Sequence, residues 1–108
     1  MAKQELHLEI DGKGYELKYS SKRVKLIEAS MGESILGILV NAKGCLSLQQ
    51  LETCIALALK EVDGDVFVAQ GKGREYAEAL IENEGYSKVL TVVMDALQRD
   101  CPFFFQSA

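Results

Sequence analysis

Residues 5–19 read ELHLEIDGKGYELKY, and this stretch decides the fold class. Apolar residues occupy every second position on both sides of an Asp-Gly pair, which is the period of a strand with one buried face. The alternation breaks at residues 11–14, where Asp-Gly-Lys-Gly is typical of a tight turn. The sequence therefore predicts a β-hairpin over residues 5–19.

The hairpin register follows from the alternation and from charge. Both apolar sets have to share one face of the hairpin, so the loop contains an even number of residues. A two-residue turn at Asp11-Gly12 pairs Glu5 with Lys18, whereas a four-residue loop sets Glu9 against Glu16. Opposite charges across the strands favour the two-residue turn, by well under about 1 kcal/mol per pair.

The rest of the chain predicts four to five short amphipathic helices. Ser20 or Ser21 can cap the first helix, and Gly32 can end it in a left-handed conformation. Ser47 and Gln50 have the spacing of a capping box before the third and clearest helix. The second helix has a continuous apolar run, so it can also be a buried strand. The predicted helices cover residues 22–31, 33–41, 48–61, 74–84 and 88–99.

Each predicted helix has an apolar stripe at helical spacing. Between the third and fourth helices, residues 66–68 form a short strand or a packed loop, and Gly71-Lys72-Gly73 breaks the chain. Ser87 is the predicted cap of the last helix, and Asp100-Cys101-Pro102 ends it. The predicted inward residues are Val24, Ile27 and Met31; Ile35, Ile38 and Leu39; Leu48, Leu51, Ile55, Ala58 and Leu59; Ala77, Leu80 and Ile81; and Val89, Val92, Val93, Ala96 and Leu97.

These elements predict an α+β fold, in which an N-terminal β-hairpin is followed by a bundle of four to five short α-helices. The 108 residues, 48% apolar and 26% charged with a single proline, fit one globular domain. Its parts are the hairpin (5–19), a helical part (20–100) and an aromatic C-terminal tail (101–108). An isolated hairpin is marginal, so we expect it to pack on the helices or to pair with another strand, such as residues 66–68 or a strand of a second subunit.

The charge and hydropathy of the chain bear on two kinds of partner, nucleic acids and membranes. The net charge is −4, with basic residues early and acidic residues late in the chain, which argues against a nucleic-acid partner. The N-terminus has no apolar signal region. The longest strongly apolar run, residues 35–40, is interrupted by Gly37 and is far too short to span a bilayer. The sequence therefore predicts a soluble intracellular protein without a membrane partner.

No motif for catalysis, cofactor binding or metal binding is complete. Cys45, Cys54 and Cys101 are far apart and do not have the spacing of a zinc site or a redox pair, and Cys54 fits a small core residue. Gly71-Lys72-Gly73 lacks the rest of a phosphate loop, and Asp63-Gly64-Asp65 lacks the ligands of a calcium loop. His7 has no partner nucleophile. We therefore expect neither an enzyme nor a cofactor or metal site.

The tail differs from the rest of the chain because Phe103, Phe104 and Phe105 are adjacent. Three consecutive rings in an extended segment cannot all face one core. Either one or two rings dock on the last helix, or the rings form an apolar contact surface for another chain. At least one ring is expected to point outward unless the tail folds back tightly.

Several segments, taken in order, resemble a known family. The Asp-Gly hairpin leads into a basic helix and then into Ile27-Glu28-Ala29-Ser30-Met31-Gly32-Glu33-Ser34-Ile35-Leu36. A leucine- and alanine-rich helix follows, and Leu80-Ile81-Glu82-Asn83-Glu84-Gly85-Tyr86 precedes a helix with Asp95-Ala96-Leu97. From residue 5 to 105 this order resembles the tail assembly chaperones of long-tailed bacteriophages, prophages and gene-transfer particles.

The resemblance implies a function in protein assembly. Such chaperones bind the tape measure protein, keep it soluble, help recruit tail tube protein and leave before the virion is complete. The resemblance also implies that the protein acts in the cytoplasm of the bacterial host and is absent from the mature virion. It is compatible with a monomer and with a homo-oligomer. The candidate protein-binding residues are Phe103, Phe104, Phe105, Tyr86 and Ile38. The alternatives are a permanent structural subunit of a tail or head–tail joint, and a small interaction domain unrelated to phage.

Overall fold

The computed structural model describes residues 9–10, 12–35, 37, 46–62, 64 and 66–104. Within these residues a β-hairpin is followed by four helices, which confirms the predicted α+β class. The elements are β1 (Glu9–Ile10), β2 (Lys13–Leu17), α1 (Ser21–Met31), α2 (Leu48–Ala56), β3 (Leu59–Glu61), α3 (Gln70–Glu84), α4 (Tyr86–Asp100) and a 3-10 turn (Pro102–Phe104).

The hairpin has the register of the two-residue turn. Glu9 lies opposite Gly14 and Ile10 opposite Lys13, and Gly12 lies in the turn between the two strands. Gly12 has a φ of 79°, which glycine adopts without strain. The predicted register is therefore confirmed, while the pairings of residues 5–8 lie outside the described residues.

The third strand comes from a segment that the sequence predicts to be helical. Helix α2 ends at Ala56 and β3 begins at Leu59, so the predicted helix 48–61 is wrong over residues 57–61. Strand β3 pairs antiparallel with β2, with Leu59 opposite Leu17, and the strand order is β1-β2-β3. The hairpin thus obtains its third strand from β3.

Tertiary hydrogen bonds explain the early end of α2. The Lys18 N–H donates to the carbonyl of Ala58 at 2.9 Å, and Arg23 Nε donates to the carbonyl of Leu57 at 2.6 Å. These partners satisfy carbonyls that would otherwise lie unpaired at a helix end. Pairing with β2 therefore prevails over the helical period of Ala58 and Leu59.

Local capping signals place the first two helices. Ser20 caps α1 through a bond from the Arg23 N–H, and Gly32 ends it with a φ of 71°. Ser47 and Gln50 form the predicted capping box at α2. Leu48, however, is 56% exposed, so its predicted inward position is wrong.

Glycine has a different function in α3 from the one predicted. Gly71-Lys72-Gly73 lies inside the helix, which begins at Gln70, so the predicted break is wrong. A Cβ on Gly73 would lie 2.7 Å from the Ala56 carbonyl oxygen, so glycine permits close approach of α3 to α2. The predicted cap at Ser87 is also wrong, since α4 begins at Tyr86 after Gly85.

The core lies between the sheet and the helices. The fully buried side chains include Tyr19, Ile27, Leu51, Ile55, Leu59, Leu97, Val89, Val93 and Cys101. Ile35 is 3% exposed, as predicted, whereas Ile38 and Leu39 lie outside the described residues. Residues 66–68 run beside β3, with Phe67 bridged to Lys60, rather than beside the hairpin.

Candidate functional site

The aromatic tail begins as a turn at the end of α4. Pro102–Phe104 form a 3-10 turn directly after α4. Phe103 is 57% exposed, which agrees with the expectation of an outward ring. The side chain of Phe104 and all of Phe105 lie outside the described residues. The described part of the predicted contact surface is therefore Phe103.

A network around Asp100 fixes this turn to the end of β2. The Asp100 carboxylate accepts a bond from the Tyr19 N–H at 2.8 Å and pairs with Arg99 at 2.8 Å and Lys18 at 3.6 Å. Arg99 also donates to the carbonyl of Leu17 at 2.5 Å. The Cys101 thiol donates to the carbonyl of Tyr19 at 3.2 Å. We call Lys18, Tyr19, Arg99, Asp100 and Cys101 the C-terminal anchor.

Charge stabilises the ionised form of Asp100. Burial by itself raises the pKa of this carboxyl, but bonds from Arg99 and the Tyr19 N–H and the charges of Arg99 and Lys18 outweigh it. The net pKa lies below its ordinary value. The same carboxylate raises the pKa of Arg99, so the pair stays ionised at neutral pH. The anchor therefore joins the end of β2 to the end of α4 through ionised side chains.

Tyr86, another predicted contact residue, forms hydrogen bonds within the protein through its hydroxyl. The hydroxyl donates to the Leu46 carbonyl at 2.5 Å and accepts from the Leu46 N–H at 3.1 Å. These bonds hold the start of α4 against the chain that enters α2. Ile38, the remaining candidate, lies outside the described residues.

Arg23 has a structural position that the charge pattern did not reveal. Its guanidinium lies 4.0 Å above the Phe67 ring, and burial lowers its pKa. Lys18, Lys22 and Lys25 are exposed, as are Glu75, Glu78 and Glu82 on α3. The basic helix is thus a solvated face from which one cation reaches inward.

The structure also describes two of the thiols and the polar surface. Cys54 is 2% exposed and burial raises its pKa to about 12, which makes it a core residue rather than a nucleophile. Burial likewise raises the pKa of Cys101. His7 and Cys45 lie outside the described residues. Among the residues that are described, no three His, Cys, Asp or Glu side chains are placed to hold a metal ion.

An open polar cleft of about 510 Å³ lies between the end of α1 and the start of α2. Its charged residues are Glu33, Glu52 and Arg74, and Arg74 donates to the Thr53 hydroxyl at 2.9 Å. No hydroxyl among the described lining residues hydrogen-bonds to a carboxylate. No helix within the described ranges is long and apolar enough to cross a membrane.

Comparisons with known protein families, with characterised proteins and with solved structures found no significant match to this chain.

Proposed function

We propose that this protein is a tail assembly chaperone of a long-tailed bacteriophage or prophage. It binds the tape measure protein, keeps it soluble and helps recruit tail tube protein in the cytoplasm of the bacterial host, and it is absent from the mature virion. It acts by contact and not by catalysis. The resemblance in the order of its sequence segments motivates this function.

The observation that supports it best is Phe103. This ring is 57% exposed on a turn that the C-terminal anchor fixes to the sheet. A large apolar side chain held in one place binds with little loss of conformational freedom, and aromatic residues are enriched in the centres of protein interfaces. Amphipathic segments of a long helical partner are suitable ligands for such a surface.

The test is co-expression with the tape measure protein from the same genome, followed by pull-down and measurement of its soluble fraction. We expect the wild-type chain to co-purify with the tape measure protein and to raise its soluble fraction. Phe103→Ser should lower both several-fold, because it removes the exposed ring. Leu48→Ser is the matched control, since Leu48 is 56% exposed at the start of α2.

Equal effects of the two substitutions would contradict a contact at the turn. A tape measure protein that aggregates regardless, together with this chain in purified particles, would show a permanent structural subunit instead. Absence of any effect on the tape measure protein and absence from particles would favour an interaction domain unrelated to phage.

A further inference from the structure

The sheet has an open edge at residues 66–69. The Val68 N–H donates to the Leu59 carbonyl at 2.9 Å, and the Glu61 N–H donates to the Val66 carbonyl at 3.4 Å. Successive residues of a strand direct their backbone groups to opposite sides, so those of Phe67 and the N–H of Ala69 point away from β3. These groups make no hydrogen bond with any residue that the structure describes. They form the unpaired edge of a sheet.

Two cationic side chains, Arg23 and Lys60, fix the position of this edge. Arg23 lies over the Phe67 ring at 4.0 Å and is itself bonded to the Leu57 carbonyl. Lys60 is 8% exposed, and its ammonium donates to the carbonyls of Glu61 and Gly64 and pairs with Glu16 at 2.7 Å. Both cations fix the chain before and within the edge, so a ligand does not have to order it.

An apolar groove of about 260 Å³ runs beside the edge, between the sheet and the start of α3. The rings of Tyr15 and Tyr76 lie 6.0 Å apart in the groove at 52° to each other. Val66 is 69% exposed at its rim. The remaining lining residues are Glu61, Phe67, Val68, Ala69 and Lys72. The unpaired backbone groups of residues 66–69 therefore lie beside an apolar groove.

Among the described residues that line the groove, the charge without an ionic partner is positive, although the chain as a whole is acidic. Glu61 pairs with Lys13 at 3.3 Å. Lys72 is exposed and forms no ion pair with any residue in the described ranges. A ligand with a carboxylate near Lys72 therefore gains an attractive interaction there.

We propose that residues 66–69 bind an extended segment of a partner polypeptide by β-strand addition. The segment pairs its backbone with Phe67 and Ala69, places apolar side chains at alternate positions in the groove and sets an acidic residue beside Lys72. The backbone groups and the groove support strand addition whether or not the protein functions in tail assembly.

Proline at residue 69 is expected to remove a backbone donor from the edge and to leave the fold intact. Ala69 has a φ of −58°, close to the value that proline imposes, and its N–H has no bond within the described protein. Gln70→Pro is the matched control, because proline is tolerated at the first position of a helix and leaves the Ala69 N–H in place. The ψ of 142° at Ala69 also suits a residue before proline.

The probe is the blocked hexapeptide Thr-Val-Thr-Val-Thr-Glu, in which the glutamate shares one face of the strand with the valines. It is titrated into the isotope-labelled full chain and followed by NMR of the amides. We expect the amides of Phe67 and Ala69 to shift and to become protected from hydrogen exchange. Ala69→Pro should weaken binding about fivefold, the value of one net hydrogen bond, and Gln70→Pro should not change it.

Four results would overturn the proposal. The first is absence of any shift at millimolar peptide. The second is equal binding by wild type and Ala69→Pro. The third is equal binding of a peptide methylated on alternate backbone nitrogens, which would show an apolar groove without strand pairing. The fourth is a dimer of the free chain that Ala69→Pro dissociates, which would make a second copy the occupant.

Discussion

At the scale of single residues, Gly73 shows how packing can determine the identity of a residue within a helix. Its missing Cβ allows α3 to lie against the backbone of Ala56, where the carbonyl oxygen and Cα would be 2.7 Å and 3.0 Å from a Cβ. Backbone atoms cannot rotate away as a side chain can. Glycine in a helix interior costs about 1 kcal/mol relative to alanine, so at this position the contact offsets a poor helix former.

Gly73→Ala is therefore expected to lower the free energy of unfolding by about 1–2 kcal/mol, because overpacking exceeds the gain in helix propensity. Urea denaturation of the two proteins measures this difference. Gly71→Ala in the same helix is the control, since a Cβ there meets nothing within 4 Å. It should be neutral or stabilise by up to ~1 kcal/mol. A stabilising Gly73→Ala would contradict the close approach of the two helices.

At the scale of elements, some were predictable because their signals are local. Ser47 and Gln50 satisfy each other within one turn, and Gly32 supplies the left-handed residue that ends α1. The boundary at Ala56 was not predictable, since Ala58 and Leu59 fit a helical stripe as well as a strand. Only distant partners, such as Lys18, decide between them.

The features of the candidate site also differ in whether the sequence could predict them. The exposure of Phe103 could be expected, because three adjacent rings cannot share one core. The open edge at residues 66–69 could not, because it depends on the pairing of β3. The anchor was also missed: Asp100 stands before a helix-ending proline, and nothing nearby in the sequence indicates that its carboxylate reaches Tyr19.

Tyr86 joins two elements, so its prediction belongs at this scale. Tyr86→Phe leaves the Leu46 N–H and carbonyl without their partner and is expected to cost about 1–2 kcal/mol of unfolding free energy. The control is Tyr76→Phe, because the Tyr76 hydroxyl has no hydrogen bond to a described residue. It should change stability by less than ~0.5 kcal/mol in the same denaturation experiment. Equal effects would show that the Leu46 bonds do not stabilise the fold.

At the scale of the whole molecule, the anchor joins the first sheet strands to the last helix. Asp100 bonds to Tyr19 across 81 residues of sequence, and Arg99 bonds to Leu17 across 82. A side chain that closes so long a segment contributes to the stability of the entire domain. The anchor should therefore affect global unfolding rather than local fraying.

Because the pKa of Asp100 is lowered, folded protein binds a proton less readily than unfolded protein. Its stabilising contribution is fully present above the ordinary aspartate pKa of 3.8 and is lost as the pH falls through the lower folded value. At pH 7, Asp100→Asn should cost about 1–2 kcal/mol, and the difference from wild type should shrink as the pH falls below about 4.

Urea denaturation across this pH range measures the effect, and Asp95→Asn on the same helix is the control. No described residue forms an ion pair with Asp95, so this variant should follow the wild-type pH dependence. A constant difference between Asp100→Asn and wild type at all pH values would contradict the charged anchor.

The anchor also has a consequence for synthesis on the ribosome. Tyr19 emerges early, yet its partners Asp100 and Cys101 are polymerised 81 and 82 residues later. At translation rates of about 5–20 residues per second, roughly 4–16 s separate the two events. The nascent hairpin lacks β3 until residues 59–61 have been made, and it lacks a complete α4 until the end of that interval. The part of the protein that is made first therefore gains its last native contacts when synthesis is nearly complete.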